Sequence, residues 1–385
     1  MKLNLIAESA FGGFVRSAKT FLVLTWLTLS ISACAADKQT SAIDAIFAAL
    51  KSKTAPGAAV LVIKDGHRVF EQGYGITDLS SRRLIDGQTN FRLASLTKQF
   101  TAMSIMLLVH DGTLHYEDRL TDIFPDFPAY GNAITIQHLL NHTSGLIDYE
   151  DLMPVLGPST SEGGIPQIQD SEVLQLLKAQ KTTKFVPGTK WDYSNSGYVV
   201  LGTIVAKVSG KSFGDFLHQR IFAPLKMEHS LAYERGKNEV ANRAFGHSHV
   251  SGKWALTDQS PTSATLGDGG VYTSLGDMFL WDKALSDHVL LSEADMRPGF
   301  TPVKVSGAGP TEPDGSPAAY GFGWFLNPYK GHSRMWHYGE TMGFRTTIQR
   351  FVDDNLTIVI LSNRSDLNPS KLALKVADLY LGKKN

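Results

Sequence analysis

Strand patterns occupy both ends of this chain and helix patterns occupy its middle, which constrains the fold more than any other feature. Near the start, the apolar run 57–63 and the alternating run 68–75 flank Asp65-Gly66, a dipeptide typical of a hairpin turn. Helix patterns fill much of 115–265, and a further helix is predicted over 41–51. We therefore expect an α+β fold, in which an antiparallel β-sheet built from both chain ends is flanked by helices and carries an inserted, mostly helical region. The remaining predicted elements are strands over 320–326, 335–337, 344–351 and 357–361, and helices over 171–179, 213–221 and 370–381.

Composition is that of a large folded domain without nucleic-acid affinity. The chain has 385 residues, of which 43% are hydrophobic and 19% charged, enough to bury a substantial core. Basic and acidic residues number 37 each, and 34 against 36 once residues 1–33 are removed. Without a basic excess or a basic cluster, we expect no nucleic-acid partner.

A serine and a lysine three positions apart, Ser95 and Lys98, come just before the apolar run 103–107, which is typical of a buried helix. Side chains at this spacing share one helix face, and a lysine whose pKa is lowered by burial or by another cation can take the proton of a serine hydroxyl. The start of a helix also offers backbone N–H groups to a developing negative charge. The pair predicts acyl-enzyme chemistry; the alternative interpretation is a capping serine beside a solvated lysine.

A tyrosine and an asparagine two positions apart, Tyr193 and Asn195, lie in a loop rich in Gly and Pro, ahead of the apolar stretch 199–205. Catalytic side chains often lie on such loops. Tyr130 and Asn132 have the same spacing, but they follow a proline-rich turn and are typical of a plain turn. We therefore favour Tyr193 as the partner of the serine and lysine.

A basic residue two positions before a glycine occurs at His337-Tyr338-Gly339, between two strand patterns. Two rival tripeptides suit structural roles better: 110–112 is typical of a helix end, and 64–66 of a hairpin turn. His337 and Gly339 are therefore predicted to lie at a strand edge beside the serine.

With these motifs in this order, the chain resembles the serine β-lactamase and penicillin-binding-protein superfamily over residues 44–381. It is most similar to the group of class C β-lactamases, D-alanyl-D-alanine carboxypeptidases, D-amino-acid peptidases and related esterases. Further segments typical of that group are 134–146, 221–227, 267–270 and 358–363. The resemblance implies the same fold, with the active site between the sheet and the helical region of about 115–265.

The resemblance also assigns roles. Ser95 becomes the acylated nucleophile, and Lys98 and Tyr193 share its proton and pass it to the leaving group. Which of the two is the main base stays open, because tyrosine needs neighbouring cations to act as a base near neutrality. Asn195 binds the substrate amide and helps to position Lys98. The backbone N–H groups of Ser95 and Glu340 form the oxyanion hole.

His337 departs from β-lactamases proper, which usually carry lysine there to receive the carboxylate of the antibiotic. An imidazole is at most partly charged near neutrality, so we expect weak β-lactam hydrolysis. Tyr338 and Trp336 predict an aromatic wall, and the loops 153–169 and 303–318 are expected to border the cleft. The acyl donor stays open among ester, D-peptide, amide and lactam, as does the oligomeric state.

The N-terminus has the pattern of an export signal. Arg16 and Lys19 precede an apolar segment at 21–31 that is too short to span a bilayer. The sequence 31–34 resembles the bacterial lipobox, which implies a lipoprotein signal over 1–33, a lipidated Cys34 and a tether over 34–43. We expect lipid anchoring on the periplasmic side of the cell envelope, at the outer membrane because Ala35 follows the cysteine. Cleavage after Ala35, which would release a soluble periplasmic enzyme, is the alternative.

Other kinds of site find less support. His138 and His142 lie four apart, but no third ligand accompanies them, so we expect neither a metal site nor a cofactor. A non-catalytic envelope lipoprotein that binds peptidoglycan peptides or a protein partner is the alternative function, and retention of Ser95, Lys98 and Tyr193 together weighs against it.

Overall fold

The structure is a computed structural model that describes residues 38–153 and 165–383. The chain divides into two compact units, residues 1–48 and 49–385. In the first unit, residues 38–46 form helix α1. The sheets and the other α-helices named below belong to the second unit. The predicted signal segment, Cys34 and most of the tether lie outside the described residues.

A five-stranded antiparallel sheet joins the two ends of the second unit, as the sequence predicts. Its strands are ordered β2-β1-β10-β9-β8, and Asp65 and Gly66 form the turn between β1 and β2, both with positive φ. Strand β1 pairs with β10, near the other end of the chain, from Ala58↔Ser362 to Lys64↔Leu356. These are the strand bounds: β1 Ala58–Lys64, β2 His67–Tyr74, β8 Met335–Thr341, β9 Phe344–Phe351 and β10 Leu356–Ser362.

Two smaller sheets use the remaining strands. A three-stranded sheet has the order β3-β7-β4, and a hairpin pairs β5 with β6. Strand β3 leads directly into the turn that carries Ser95, so this small sheet fixes where that turn begins. The bounds are β3 Phe91–Arg92, β4 Leu231–Ala232, β5 His247–Val250, β6 Lys253–Leu256 and β7 Val271–Thr273.

Helices pack against the sheet, and most of them come from the part of the chain between strands β2 and β8. Helix α11 lies against β9 and β10, whereas α9 lies against β1 and β10. The long helices α2 and α7 contact each other in the apolar core. The bounds are α2 Lys98–His110, α3 Leu120–Ile123, α4 Ile136–Leu140, α5 Tyr149–Leu152, α6 Asp170–Lys178, α7 Asn195–Ser209, α8 Phe213–Leu217, α9 Leu275–Ser286, α10 Glu293–Met296 and α11 Pro369–Ala377; His218–Phe222 form a π-helical turn, and short 3₁₀ turns occur at Ala48–Leu50, Ala94–Thr97, Ala129–Ala133, Arg297–Phe300 and Val352–Asp354.

One local prediction is wrong. Residues 320–326 do not form a strand, because a turn interrupts them: Gly321 N donates to the carbonyl of Trp324, and Gly323 has φ of +75°. A Cβ on Gly323 would lie 2.9 Å from the carbonyl oxygen of Lys98, so glycine permits the close approach of this turn to α2. The region 115–265 also contains the β5–β6 hairpin, whose short strands have no long alternating pattern.

Within residues 38–153 and 165–383, no helix is both long and apolar enough to cross a bilayer.

Candidate active site

Ser95 lies in a tight turn that leads into α2 and is hydrogen-bonded to β7. The turn is the 3₁₀ segment Ala94–Thr97, which continues into α2, so Ser95 precedes the α-helix by one turn. Ala94 has φ of +50°, a left-handed conformation that alanine rarely adopts and that is enriched at active sites. The hydroxyl of Thr97 accepts a hydrogen bond from Val271 N on β7, at 3.1 Å. The turn is therefore a rigid platform for the serine hydroxyl.

Lys98 contacts Ser95 directly, as its spacing predicts. Its Nζ lies 3.0 Å from Ser95 Oγ, 2.9 Å from Asn195 Oδ1 and 3.0 Å from the carbonyl oxygen of Asp268. The side chain has no exposed surface. Burial, the largest influence, lowers the pKa of Lys98 to about 8, although nearby carboxylates oppose the shift. With this pKa, about a tenth of the amine is neutral at pH 7, within reach of the serine proton.

Tyr193 packs against the same ammonium. Lys98 Nζ lies 5.0 Å from the centroid of the Tyr193 ring. The phenol hydroxyl is buried and makes no well-formed hydrogen bond to a described residue, although the Ser95 side chain lies beside it. Burial raises the pKa of Tyr193 well above its usual value, and the neighbouring Ser95 side chain only partly offsets this. In the free protein Tyr193 is thus a neutral phenol, which can donate or relay a proton but is not a phenolate base.

Asn195 connects Lys98 to two carboxylates. It is the first residue of α7, whose N-cap is Ser194. Its amide oxygen accepts from Lys98, its side-chain N–H group donates to Glu150 Oε1 at 3.3 Å, and its backbone N–H donates to Asp148 Oδ2 at 2.9 Å. Burial raises the pKa values of both carboxyl groups. Asn195 is thereby fixed as a positioning partner of Lys98.

Three acidic residues near Lys98 were not predicted as part of the site: Asp148, Glu150 and Asp268. Each favours the charged form of Lys98 and limits the drop in its pKa. Asp268 is 6% exposed, and its Oδ2 accepts from the Tyr149 hydroxyl at 3.2 Å. Its segment 267–270 is recognisable in the sequence, whereas Asp148 and Glu150 carry no local signal and meet the lysine only through the fold.

The edge strand β8 brings Gly339 and Glu340 to the serine turn. A Cβ on Gly339 would lie 2.1 Å from the carbonyl oxygen of Leu93, two residues before Ser95. That carbonyl also accepts from Thr346 Oγ1 at 2.8 Å. Sheet and turn are therefore in direct contact, and only glycine fits between them.

Strand alternation places the Glu340 N–H on the free side of β8. Trp336 N and O both bond to Phe325 on the edge that does not face β9. Because backbone groups alternate along a strand, residues 338 and 340 point their N–H groups to the same side as Trp336. The backbone of Glu340 is thus available as a hydrogen-bond donor, while its side chain pairs with Arg345.

His337 is completely buried. Its Nδ1 lies 2.7 Å from the carbonyl oxygen of Tyr338 and its Nε2 lies 3.1 Å from the Tyr320 hydroxyl. Burial, reinforced by the charge of Lys98, lowers the pKa of His337 to about 3. The imidazole is therefore neutral, and both of its nitrogens already have protein partners.

Aromatic side chains line this strand, as expected. Phe325 stacks on Trp336 with ring centroids 4.8 Å apart, and Trp336 stacks on Tyr338 at 6.1 Å. A cavity of about 390 Å³ borders Tyr338, Gly339 and Glu340, and Glu312, Pro313 and Asp314 of the loop 303–318 line it. Ser95, Lys98 and Tyr193 do not line this cavity, so it does not test whether the loop borders the cleft at the serine. The other loop expected at the cleft, 153–169, lies largely outside the described residues.

The two histidines with metal-like spacing separate in the fold. His138 caps α4 by accepting the Thr135 N–H at its Nδ1. His142 has φ of +60° and is buried with its ring centroid 4.4 Å from that of Tyr193. Among the residues that the structure describes, no group of His, Cys, Asp and Glu side chains is arranged to hold a metal ion.

Comparison with known proteins identifies relatives across almost the whole chain. A family model described as Beta-lactamase matches residues 43–383. Penicillin-binding protein 4* of Bacillus subtilis is 33% identical over 353 residues, covering 88% of this chain and 75% of the relative. D-aminopeptidase of Brucella canis is 28% identical over 327 residues, covering 85% of this chain and 60% of the enzyme. The crystal structure of D-amino acid amidase from Ochrobactrum anthropi SV3 superposes with a TM-score of 0.75 at 25% identity, covering 89% of this chain and 98% of the amidase.

Proposed function

The chain belongs to the Beta-lactamase family and is a serine hydrolase, and from that premise we propose that Ser95 is its acylated nucleophile and Lys98 the base that activates it. The observation that carries the proposal is the position of Lys98 Nζ, 3.0 Å from Ser95 Oγ and completely buried. A buried amine with a pKa of about 8 is a stronger candidate for the base than a phenol whose pKa is raised by burial. These properties support Lys98 rather than Tyr193 as the base in this proposal.

Acylation follows from these positions. Neutral Lys98 takes the proton of Ser95 as Oγ attacks the carbonyl carbon of the acyl donor. The resulting oxyanion accepts hydrogen bonds from the backbone N–H groups of Ser95 and Glu340. The bond to the leaving group then breaks, and the leaving group receives a proton through the Tyr193 hydroxyl, which Lys98 replenishes. Water repeats the sequence on the acyl-enzyme and releases the acid.

For the substrate, we propose a small D-amino-acid amide, D-peptide or ester in preference to a β-lactam. Two relatives carry names for enzymes acting on D-amino-acid substrates, D-aminopeptidase and D-amino acid amidase. The site itself offers little to a carboxylate, because His337 is neutral and three carboxylates surround Lys98. The carboxylate of a lactam antibiotic would lie near these three carboxylates, and neither His337 nor the partly neutral Lys98 would give it a permanent positive charge.

The nucleophile is tested by Ser95→Ala, with Ser209→Ala as the matched control. The Ser209 hydroxyl donates to the carbonyl of Val205 and accepts from Lys211 N at the end of α7, so its removal deletes two local hydrogen bonds and no site group. Intact-mass spectrometry after reaction with a fluorophosphonate or an activated ester should show one adduct on the wild type and on Ser209→Ala. Ser95→Ala should show none while keeping the wild-type circular dichroism spectrum. A persisting adduct on Ser95→Ala would refute the assignment.

The substrate class is tested by comparing kcat/KM for D- and L-phenylalanine amide, a p-nitrophenyl ester of a short acid and a cephalosporin. We expect the D-amide or the ester to be turned over fastest and the cephalosporin slowest. Cephalosporin hydrolysis as fast as that of the best ester would make the protein a working β-lactamase.

We also propose that the protein is exported and anchored by a lipid on Cys34 at the periplasmic side of the outer membrane. The sequence 31–34 and the apolar segment before it support this. Labelled fatty acid should be incorporated into the wild type but not into Cys34→Ser. Equal labelling of both proteins would refute the anchor, and release of unlabelled protein cut after Ala35 would support the soluble alternative.

A further inference from the structure

A line of hydrogen bonds joins the loop that carries Tyr193 to strand β8. Ser194 N lies 3.1 Å from His142 Nδ1, and His142 Nε2 lies 3.0 Å from the Tyr320 hydroxyl. That hydroxyl lies 3.1 Å from His337 Nε2, and His337 Nδ1 lies 2.7 Å from the carbonyl oxygen of Tyr338. His142, Tyr320 and His337 are all 0% exposed. We call these three side chains the His-Tyr-His chain.

The two ends of the chain determine where its hydrogens lie. A backbone N–H can only donate, so His142 Nδ1 must accept and its hydrogen is on Nε2. A backbone carbonyl can only accept, so His337 carries its hydrogen on Nδ1 and presents a lone pair at Nε2. The Tyr320 hydroxyl therefore accepts from His142 and donates to His337. Each of these hydrogen bonds then has one donor and one acceptor, and every donor points along the chain from Ser194 towards Tyr338.

We propose that the His-Tyr-His chain is a positioning device that holds the Tyr193 loop in register with the edge of β8, and that it works with both imidazoles neutral, His142 as the Nε2–H tautomer and His337 as the Nδ1–H tautomer. This inference rests on the proposed function, because the chain acts through groups assigned there. Ser194 lies between Tyr193 and Asn195, and Tyr338 lies two residues before Glu340. The chain thus spans from the proton-transfer residues to the proposed oxyanion hole.

The surroundings favour neutral imidazoles. The titratable groups that face them are Lys98, Tyr193, Tyr198 and Tyr338. Lys98 is the cation among these, and it opposes a positive charge on either ring. The Tyr198 hydroxyl also interacts with the Tyr320 hydroxyl. Because Tyr198 donates its hydrogen to the carbonyl of Leu140 at 2.7 Å, it can face Tyr320 only as an acceptor and does not take the place of the His142 donor. Burial lowers the pKa of His142 well below its usual value, consistent with the same arrangement.

A protonated ring would break the chain. An added proton on His142 Nδ1 would face the Ser194 N–H, and one on His337 Nε2 would face the hydrogen of Tyr320. Each case puts two donors against each other in a buried site, which is unfavourable. The chain therefore disfavours a charged His337 through its hydrogen-bond directions as well as through burial.

The tautomers can be read directly from the wild-type protein. Long-range ¹H–¹⁵N spectra of histidine-labelled protein report which ring nitrogen carries the hydrogen, and His142→Gln and His337→Gln assign the two signals among the 12 histidines. We expect the Nδ1–H form for His337, the Nε2–H form for His142, and no titration of either ring above about pH 5. An Nε2–H signal for His337, or titration near the usual histidine pKa of about 6.5, would overturn the proposal.

The positioning role is tested by Tyr320→Phe, which keeps the ring and removes the central hydroxyl. The matched control is Tyr272→Phe, whose buried hydroxyl bonds to Arg243 and not to the chain. Tyr320→Phe should lower kcat by about tenfold or more with KM within about threefold of wild type, because alignment of the proton-transfer groups is lost while the pocket is retained.

The outcomes separate this inference from the proposed function. A smaller loss of kcat in a folded Tyr320→Phe, or an equal loss in Tyr272→Phe, overturns the positioning role while fluorophosphonate labelling of wild-type Ser95 still supports the hydrolase. Failure to label Ser95 in the wild type refutes the proposed function instead. Should Tyr320→Phe not fold, the tautomer measurement on the wild type still decides the proposal.

Discussion

Two opposing influences act on the Lys98 ammonium. Removal from water disfavours its charge, whereas Asp148, Glu150 and Asp268 favour it, and burial wins with a pKa of about 8. Without the carboxylates, the pKa would fall further and the amine would be a weaker base. The site therefore keeps a lysine that is partly neutral at physiological pH and still basic enough to accept the serine proton.

The first prediction follows from this pKa. The fraction of neutral Lys98 increases with pH, so kcat/KM for an uncharged p-nitrophenyl ester should rise between pH 6 and 10 with a midpoint near 8. The neutral histidines of the site should add no step near their usual pKa of about 6.5. A pH–rate profile in a constant-ionic-strength buffer measures the midpoint. A single rise centred near 6.5 would instead assign the base to a histidine.

The second prediction concerns Lys98 and Tyr193, which contact each other and share one proton path in the proposed mechanism. Lys98→Met and Tyr193→Phe should each slow single-turnover acylation strongly, and the double variant should be little slower than the worse single one. Tyr130→Phe is the control, because Tyr130 belongs to the rival motif and its hydroxyl bonds to the carbonyl of Leu177. Additive losses in the double variant, or a comparable loss in Tyr130→Phe, would contradict a shared path.

Residues that share a local pattern could be predicted, and residues that meet only through the fold could not. Ser95 and Lys98 are three apart, and the structure places their side-chain atoms 3.0 Å apart. His142 was considered only as a metal ligand, because nothing near it in sequence points to Tyr320, 178 positions away. The contact between His142 and Tyr320 depends on a turn at 320–324, which the apolar pattern of residues 320–326 does not predict.

At the scale of elements, spacing and capping explain most of what was predicted correctly. The predicted helices at 171–179 and 370–381 correspond to α6 Asp170–Lys178 and α11 Pro369–Ala377. Helix 213–221 was predicted as one element, but it is an α-helical turn followed by a π-helical turn. A single π-helical turn is too short to change a periodic apolar pattern recognisably, so the sequence does not distinguish these windings.

The third prediction addresses the contact between β8 and the serine turn. Gly339→Ala would place a Cβ 2.1 Å from the Leu93 carbonyl and 2.2 Å from Thr346 Oγ1, so the strand must move away from the turn. We expect a loss of about 1–3 kcal/mol in the free energy of unfolding and a larger relative loss of kcat/KM, because the Glu340 N–H shifts with the strand. Urea denaturation and ester hydrolysis measure the two effects.

Gly309→Ala is the control for this prediction, since a Cβ at Gly309 would meet nothing within 4 Å. It should change neither stability nor activity appreciably. Wild-type activity in Gly339→Ala would show that the position of β8 does not matter to the reaction.

At the scale of the whole molecule, the sheet joins parts of the chain that are about 300 residues apart, as shown by the pairing of Ala58 with Ser362. The alternating and apolar runs at the two ends predicted this closure, because each set of strands alone would leave a row of backbone N–H and C=O groups without partners. The register and the position of the small β3-β7-β4 sheet were not predictable. The strands of this small sheet are only two or three residues long and carry no periodic signal.

The last prediction concerns Asn363, which holds this closure together at the end of β10. Its Oδ1 accepts from Gly57 N at 2.8 Å, and its Nδ2 lies 3.0–3.1 Å from the carbonyl oxygens of Ile76, Thr77 and Phe245. The side chain is 0% exposed, so Asn363→Ala would leave several buried backbone groups without a partner. We expect the free energy of unfolding to fall by about 3 kcal/mol, given about 1–3 kcal/mol for each unsatisfied buried group.

Asn368→Ala provides the comparison, because Asn368 is an exposed N-cap whose side chain accepts only from Lys371 N among the described hydrogen bonds. Its removal should cost about 1 kcal/mol. Urea denaturation of both variants and the wild type gives the two values. Equal losses would mean that Asn363 contributes no more than a single helix cap. A threefold greater loss would mean that its hydrogen bonds connect the start of β1, the end of β10 and two intervening loops into one cooperative unit.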